Sequence, residues 1–293
     1  MALTHAKMEN NKGRAGLADL ETKLGFTVID KKESWLKIGA AIVTPTGNRP
    51  TGEFVFEPIC GNGQHWEFGG FIDTKYELWT DYQSSLALNA QASCLYGLKS
   101  TEKRTLGIQK DDGSSVPFGH YYLVGQRGLR YFFPFANVST QELDVTPGVH
   151  CQALVNLAFT FKGINIDCGY NLFAKQKETV KLKYPWQDDM YAIAYDDHAT
   201  NTNYFMIEQA SGAFDATAID GNILGKHPIQ WNNIDLRSAT TPAQITHKFY
   251  GAISHTTSWK TPLLCGIGAA YELGSSNTSI DAYSAWFNAS VAF

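Results

Sequence analysis

Residues 279–293 read SIDAYSAWFNASVAF. Tyr283, Ala285, Phe287, Ala289, Val291 and Phe293 fall on one face of this stretch, and Ala282, Ser284, Trp286, Asn288, Ser290 and Ala292 on the other. Strict period two predicts a β-strand with one apolar face, because successive side chains of an extended chain point to opposite sides. A strand with so apolar a row is a sticky edge in water. It needs either a second apolar layer or hydrocarbon against it.

The same alternation recurs upstream. Residues 262–273 set Leu263, Cys265, Ile267, Ala269, Tyr271 and Leu273 against the small Gly266, Gly268 and Ala270. Residues 243–255 form the strand before it. Two further strands meet at Lys162-Gly163. Pairing residues whose numbers sum to 325 places Phe161 opposite Ile164, Phe159 opposite Ile166, Leu157 opposite Cys168 and Val155 opposite Tyr170. A slip of one residue would turn one strand over, so this register is sharply specified. Residues 83–98, 65–79, 34–43 and 16–29 complete nine predicted strands. Within 65–79, Trp66, Phe68, Ile72, Tyr76 and Leu78 alternate with Glu67, Asp73, Lys75 and Glu77.

The connections alternate as well. Those near residues 31, 81, 162 and 258 are short, whereas 44–64, 99–147 and 176–242 are long and polar. Short turns at one end and long loops at the other are the habit of transmembrane barrels. The predicted fold is therefore all-β: one antiparallel up-and-down transmembrane barrel domain over residues 1–293, with about 9–11 strands. Strands one and nine run in the same direction. Barrels of even strand number then imply at least one strand before residue 16, with the chain opening inside an external loop. Residues 1–14 show no secretory signal, in keeping with that expectation. A hidden hairpin within 176–242 would preserve the parity, and a single hidden strand near Tyr121–Phe133 would break it. Residues 99–147, with Arg104, Arg127 and Arg130, could also fold inward as a constriction.

Composition agrees with a chain of which only alternate residues face lipid. Charged residues are 18% and aromatics 13%, and mean hydropathy is −0.22. No run approaches the ~18 apolar residues of a spanning helix. A net charge of −4 argues against a nucleic-acid partner. Cys60, Cys94, Cys151, Cys168 and Cys265 show no CxxC spacing; four lie on apolar strand faces, where they read as small hydrophobes. There is no HExxH, GxSxG or phosphate-binding loop. Asp188-Asp189 and Asp196-Asp197-His198 read as solvated loop carboxylates rather than a metal site. No catalytic residue, metal or cofactor is expected.

The closing strand resembles the C-terminal strand of bacterial outer-membrane β-barrels, the porin-like proteins. In that family a terminal aromatic belongs to the signal read by the barrel-insertion machinery. The resemblance assigns that signal here to Tyr283, Phe287, Val291 and Phe293, and implies outer-membrane lipid as the surrounding phase. It further implies passive diffusion of small hydrophilic solutes or ions, in a monomer or homo-oligomer. The inward-facing polar set would line the pore: Glu21, Lys23, Lys37, Glu67, Asp73, Lys75, Glu77, Asn165, Asp167, Asn171 and Lys248. Such a set can act as a weak charge filter, or its members can simply pair across strands. The alternatives are a non-conducting structural or adhesive barrel, an outer-membrane enzyme, and a soluble β-sandwich whose apolar faces are covered by another sheet.

Overall fold

The computed structural model describes residues 2–9, 13–127, 132–193, 228–257, 263–275 and 279–291. Among these, nine long strands form one antiparallel sheet. They are β1 (Leu20–Lys31), β2 (Ser34–Thr44), β3 (Glu67–Thr80), β4 (Ser84–Gly97), β5 (Gly148–Phe161), β6 (Ile164–Lys175), β7 (Gln244–Thr256), β8 (Leu263–Gly274) and β9 (Ala282–Val291). Each pairs with its chain neighbours among the nine, giving an up-and-down sheet. β1 and β9 each pair on one edge, and no described strand bridges them. No helix among the described residues is long and apolar enough to cross a membrane.

Local chemistry explains the tight end of the sheet. Lys162 (φ 46°) and Gly163 (φ 84°) both take the left-handed conformation. Such a turn matches the right-handed twist of its flanking strands. The β5–β6 register is the one the apolar pattern demands, with Phe161 opposite Ile164 and Leu157 opposite Cys168. Register shifts between Thr27 and Ile29, and between Glu77 and Trp79, mark bulges near this same end.

The register carries one apolar face across all nine strands. Ile38 faces Ile72, which faces Ala92, which faces Ala153. Farther along, Phe249 lies between Tyr170 and Tyr271, and Tyr271 stacks on Tyr283 at 4.7 Å. Leu24, Ile72, Val155, Ile166, Phe249, Ile267 and Phe287 on this face are all exposed.

The second and third long connections, 99–147 and 176–242, share a folded body, a cap. Ser100–Thr105, Thr140–Thr146 and Thr179–Leu182 continue β4, β5 and β6 in unbroken register beyond the sheet. The joint is Gly97 beside Pro147-Gly148, where Gly148 has φ 79° and a Cβ on Gly97 would press on the Pro147 ring. The strands swing there, so that Glu102 and Glu178 of the cap meet His65 and Lys175 on the polar side of the sheet. Leu106, Ile108, Val124, Phe133, Phe135, Leu143, Val145, Val180, Ile229 and Ile234 form the cap's core. Burying each such side chain contributes roughly 1.5–3 kcal/mol.

Two expectations are thereby corrected. The long polar segments contain the main buried core, whereas the sheet holds only a small cluster around Ala41, Val43 and Leu95. Residues Leu123–Gln126 and Phe132–Pro134 are indeed strands, but they pair within the cap, with Tyr191–Ile193, and add nothing to the nine. Arg104 lies at the cap's base, bonded to Glu102 and Glu178, and Arg130 lies outside the described residues, as does most of any hairpin within 176–242. The first described residues also dock at the cap end. Thr4 N–H donates to Asn137 Oδ1 (2.7 Å), Lys7 pairs with Glu53 (2.6 Å), and Tyr121 O–H donates to the Ala6 carbonyl (2.9 Å).

Candidate functional site: the polar sheet face and its junction with the cap

Directly opposed residues of an antiparallel pair point to the same side. Followed strand to strand, the register puts Glu21, Lys23, Lys37, Glu67, Asp73, Lys75, Glu77, Asn165, Asp167, Asn171 and Lys248 all on the face opposite the apolar one. One row runs Lys37, Asp73, Gln91, Leu154, Asn171, Lys248, Glu272. Opposite charges therefore sit on adjacent strands at both ends of this row.

Several members are drawn into pairs. Lys23 meets Glu21 at 3.1 Å, Lys75 meets Glu77 at 3.3 Å, and Lys248 meets Glu272 at 3.5 Å. Asn156 donates to Asp167 at 3.1 Å, and Thr160 to Asn165 at 3.0 Å. Lys37 lies 4.5 Å from the Trp35 ring. Asn171 holds its row position between Leu154 and Lys248, and Asp73 lines a small hollow of about 190 Å³ with Gln91, Gln152 and Leu154. The face is a mosaic of locally balanced charge. Exposed pairs of this kind contribute little stability.

Large aromatics also lie on this face, where the alternation alone did not single them out. Phe71 lies across Gly25 and Gly39, Tyr250 over Gly169, and Trp286 over Gly268. Each ring fills the space left by a missing side chain on a neighbouring strand. The small inner row Gly266, Gly268, Ala270 was the available signal: a strand bare on one face makes room for its neighbour's bulk.

At the cap junction the charges are buried. His65 Nε2–H donates to Glu102 Oε1 (2.7 Å) and Nδ1–H to the Leu98 carbonyl (2.8 Å). Arg104 Nε donates to Glu102 Oε2 (2.8 Å), and its Nη1 to Glu178 Oε2 and the Ala239 carbonyl (2.7 Å each). Lys175 reaches Glu178 Oε1 at 3.2 Å. Glu67, at the cap end of the polar face, accepts from Asn62 (3.0 Å) and approaches His150 (3.7 Å). Burial alone would lower the His65 pKa, but the Glu102 and Leu98 hydrogen bonds outweigh it and raise it. Both ring nitrogens face acceptors, an arrangement that suits the imidazolium. Burial would raise the Glu178 carboxyl, yet Arg104, Lys175 and the Thr241 N–H together bring it down to about 2. These groups come from residues 65 to 178 with no motif spacing, so sequence patterning did not find them.

The cysteine reading needs correction at two positions. Cys94 of β4 and Cys151 of β5 are directly opposed, with Cα atoms 4.1 Å apart, and are disulfide-bonded. The small-hydrophobe reading failed there because β4 and β5 are neighbours in space across a 57-residue separation. Cys60, Cys168 and Cys265 are free.

Tyr283, Phe287 and Val291 project from the apolar face of β9 and are exposed; Phe293 lies outside the described residues. Asp188 accepts the Trp231 N–H at 2.6 Å, and residues 196–198 lie outside the described residues. Among the described residues no three His, Cys, Asp or Glu side chains gather as metal ligands would. No protein-family model matches this chain, and no curated protein matches it either.

Proposed function

We propose that the nine-stranded sheet is the wall of a transmembrane β-barrel in a bacterial outer membrane, acting as a porin-like channel for passive diffusion of small hydrophilic solutes. The observation that carries this reading is the sheet's pair of faces. One is apolar and exposed over all nine strands, and the other is charged and hydrogen-bonded. Lipid against the first and water against the second satisfies both. Glu21, Lys23, Lys37, Glu67, Asp73, Lys75, Glu77, Asn165, Asp167, Asn171 and Lys248 would face the water-filled side, and passage would involve no covalent step. Tyr283, Phe287, Val291 and Phe293 would be read by the insertion machinery. Because β1 and β9 run in the same direction, antiparallel closure between them takes an odd number of further strands.

A second reading is a non-conducting structural or adhesive barrel, favoured by the cap's folded core at one end of the sheet. Insertion into a planar phosphatidylcholine bilayer tests both. Stepwise conductance supports the channel. Insertion with no current supports the non-conducting barrel. Failure to insert into any bilayer overturns both and returns the chain to a sheet covered by another protein layer.

A further inference from the structure

A cleft of about 680 Å³ opens between the cap and the end of the sheet, lined in part by Trp66, Arg49, Lys99, Lys103, Lys183 and Glu142. Its position follows from the strands beneath it. Trp66 precedes β3 and stacks on Phe68 (6.2 Å), so it stands on the apolar side of the sheet at the cap end. Above it stands Lys103; the neighbouring Glu102 also lines the cleft, but its carboxylate is engaged by His65 and Arg104. The cations of the cleft therefore sit above the apolar band, on the same side as it.

Their charges are not balanced locally. Lys183 pairs with Glu142 (2.9 Å) and Lys99 with Asp144 (2.8 Å). Arg49 and Lys103 make no salt bridge among the described residues. Both nonetheless act on Glu142, whose carboxyl is held below its usual range first by Lys183, then by Lys103 and Arg49. Glu142 and Asp144 thus answer four cations, Arg49, Lys99, Lys103 and Lys183. A ring at the end of an apolar band, with unpaired cations just beyond it, matches the depth profile of a lipid: acyl chain, interface, anionic headgroup.

We propose that this cleft binds the phosphate-bearing headgroup of a lipid in the leaflet at the cap end, with Arg49 and Lys103 on the phosphate and Trp66 against the upper acyl chain. The proposal rests on the membrane-barrel reading, and the test separates the two. Flotation with neutral phosphatidylcholine vesicles comes first; failure to float overturns the barrel reading and this site with it. The folded protein in a neutral detergent is then titrated with dihexanoyl phosphatidylglycerol, dihexanoyl phosphatidylcholine or inorganic phosphate while Tm is followed. The expected result is a rise in Tm with phosphatidylglycerol alone, and an apparent affinity about 30-fold weaker in Arg49→Ala/Lys103→Ala. Lys110→Ala, in the cap but away from the cleft, should behave as wild type. Equal shifts from both lipids, an equal shift from free phosphate, or a double variant that titrates like wild type overturns the proposal while leaving the barrel standing.

Discussion

Val155→Arg and Leu154→Arg place the same charge on adjacent residues of β5, on opposite faces. Val155 is eighth of the 14 residues of Gly148–Phe161. At roughly 3.3 Å per residue and a tilt of about 40° the strand spans roughly 35 Å, so Val155 sits near the middle of an apolar band about 25 Å tall. It is 44% exposed on the apolar face, between Ala90 and Tyr170. Arginine there should cost about 2–4 kcal/mol in a bilayer, roughly 30- to 1,000-fold in the folding equilibrium. Leu154 lies on the polar row between Gln91 and Asn171, with Asp73 one strand farther. Arginine at that position meets water and a carboxylate and should cost under about 1 kcal/mol. Urea titration of folding into phosphatidylcholine vesicles, followed by tryptophan fluorescence, reads both. If Leu154→Arg costs as much as Val155→Arg, the assignment of lipid and water to the two faces is wrong.

Three further outcomes follow from the geometry. Replacing Cys94 and Cys151 together by serine removes a crosslink closing 57 residues and should lower unfolding free energy by about 4 kcal/mol; a loss under about 1 kcal/mol in denaturant melts would mean the bond constrains little. Gly268→Leu drives a side chain into the Trp286 ring and should cost about 1–3 kcal/mol. Gly251→Ala, whose Cβ meets only the Asp167 carbonyl at 3.8 Å, should be tolerated, and equal Tm values for the two would sink the packing argument. The cap should be most stable between the titrations of Glu178 and His65. Glu178's depressed pKa gives stability that is present above its unfolded value of about 4.5 and lost as pH falls toward about 2. His65's raised pKa gives stability that is full below its unfolded value of about 6.5 and lost as pH rises through the folded value. Glu178→Gln should flatten the acid limb of Tm against pH, and His65→Asn the alkaline limb; unchanged limbs would remove the junction from the account.

The alternation at 279–293 and its repeats determined the strands and their two faces, and the apolar matching across Lys162-Gly163 determined the register of that hairpin. Each of those depends on period two and on short turns, such as Lys162-Gly163, that act between residues close in the chain. The eleven polar side chains expected on one face do share it, because parity along a strand transmits from neighbour to neighbour through direct cross-strand pairs. Contacts that close over long separations had no such local signature. Only the tertiary structure decided that Cys94 and Cys151 meet in register and are bonded, and that the connections 99–147 and 176–242 fold together around Phe135 and Leu143. The same holds for the His65–Glu102–Arg104–Glu178 junction, where burial and hydrogen bonding between distant segments, rather than any repeat, bring the charges together.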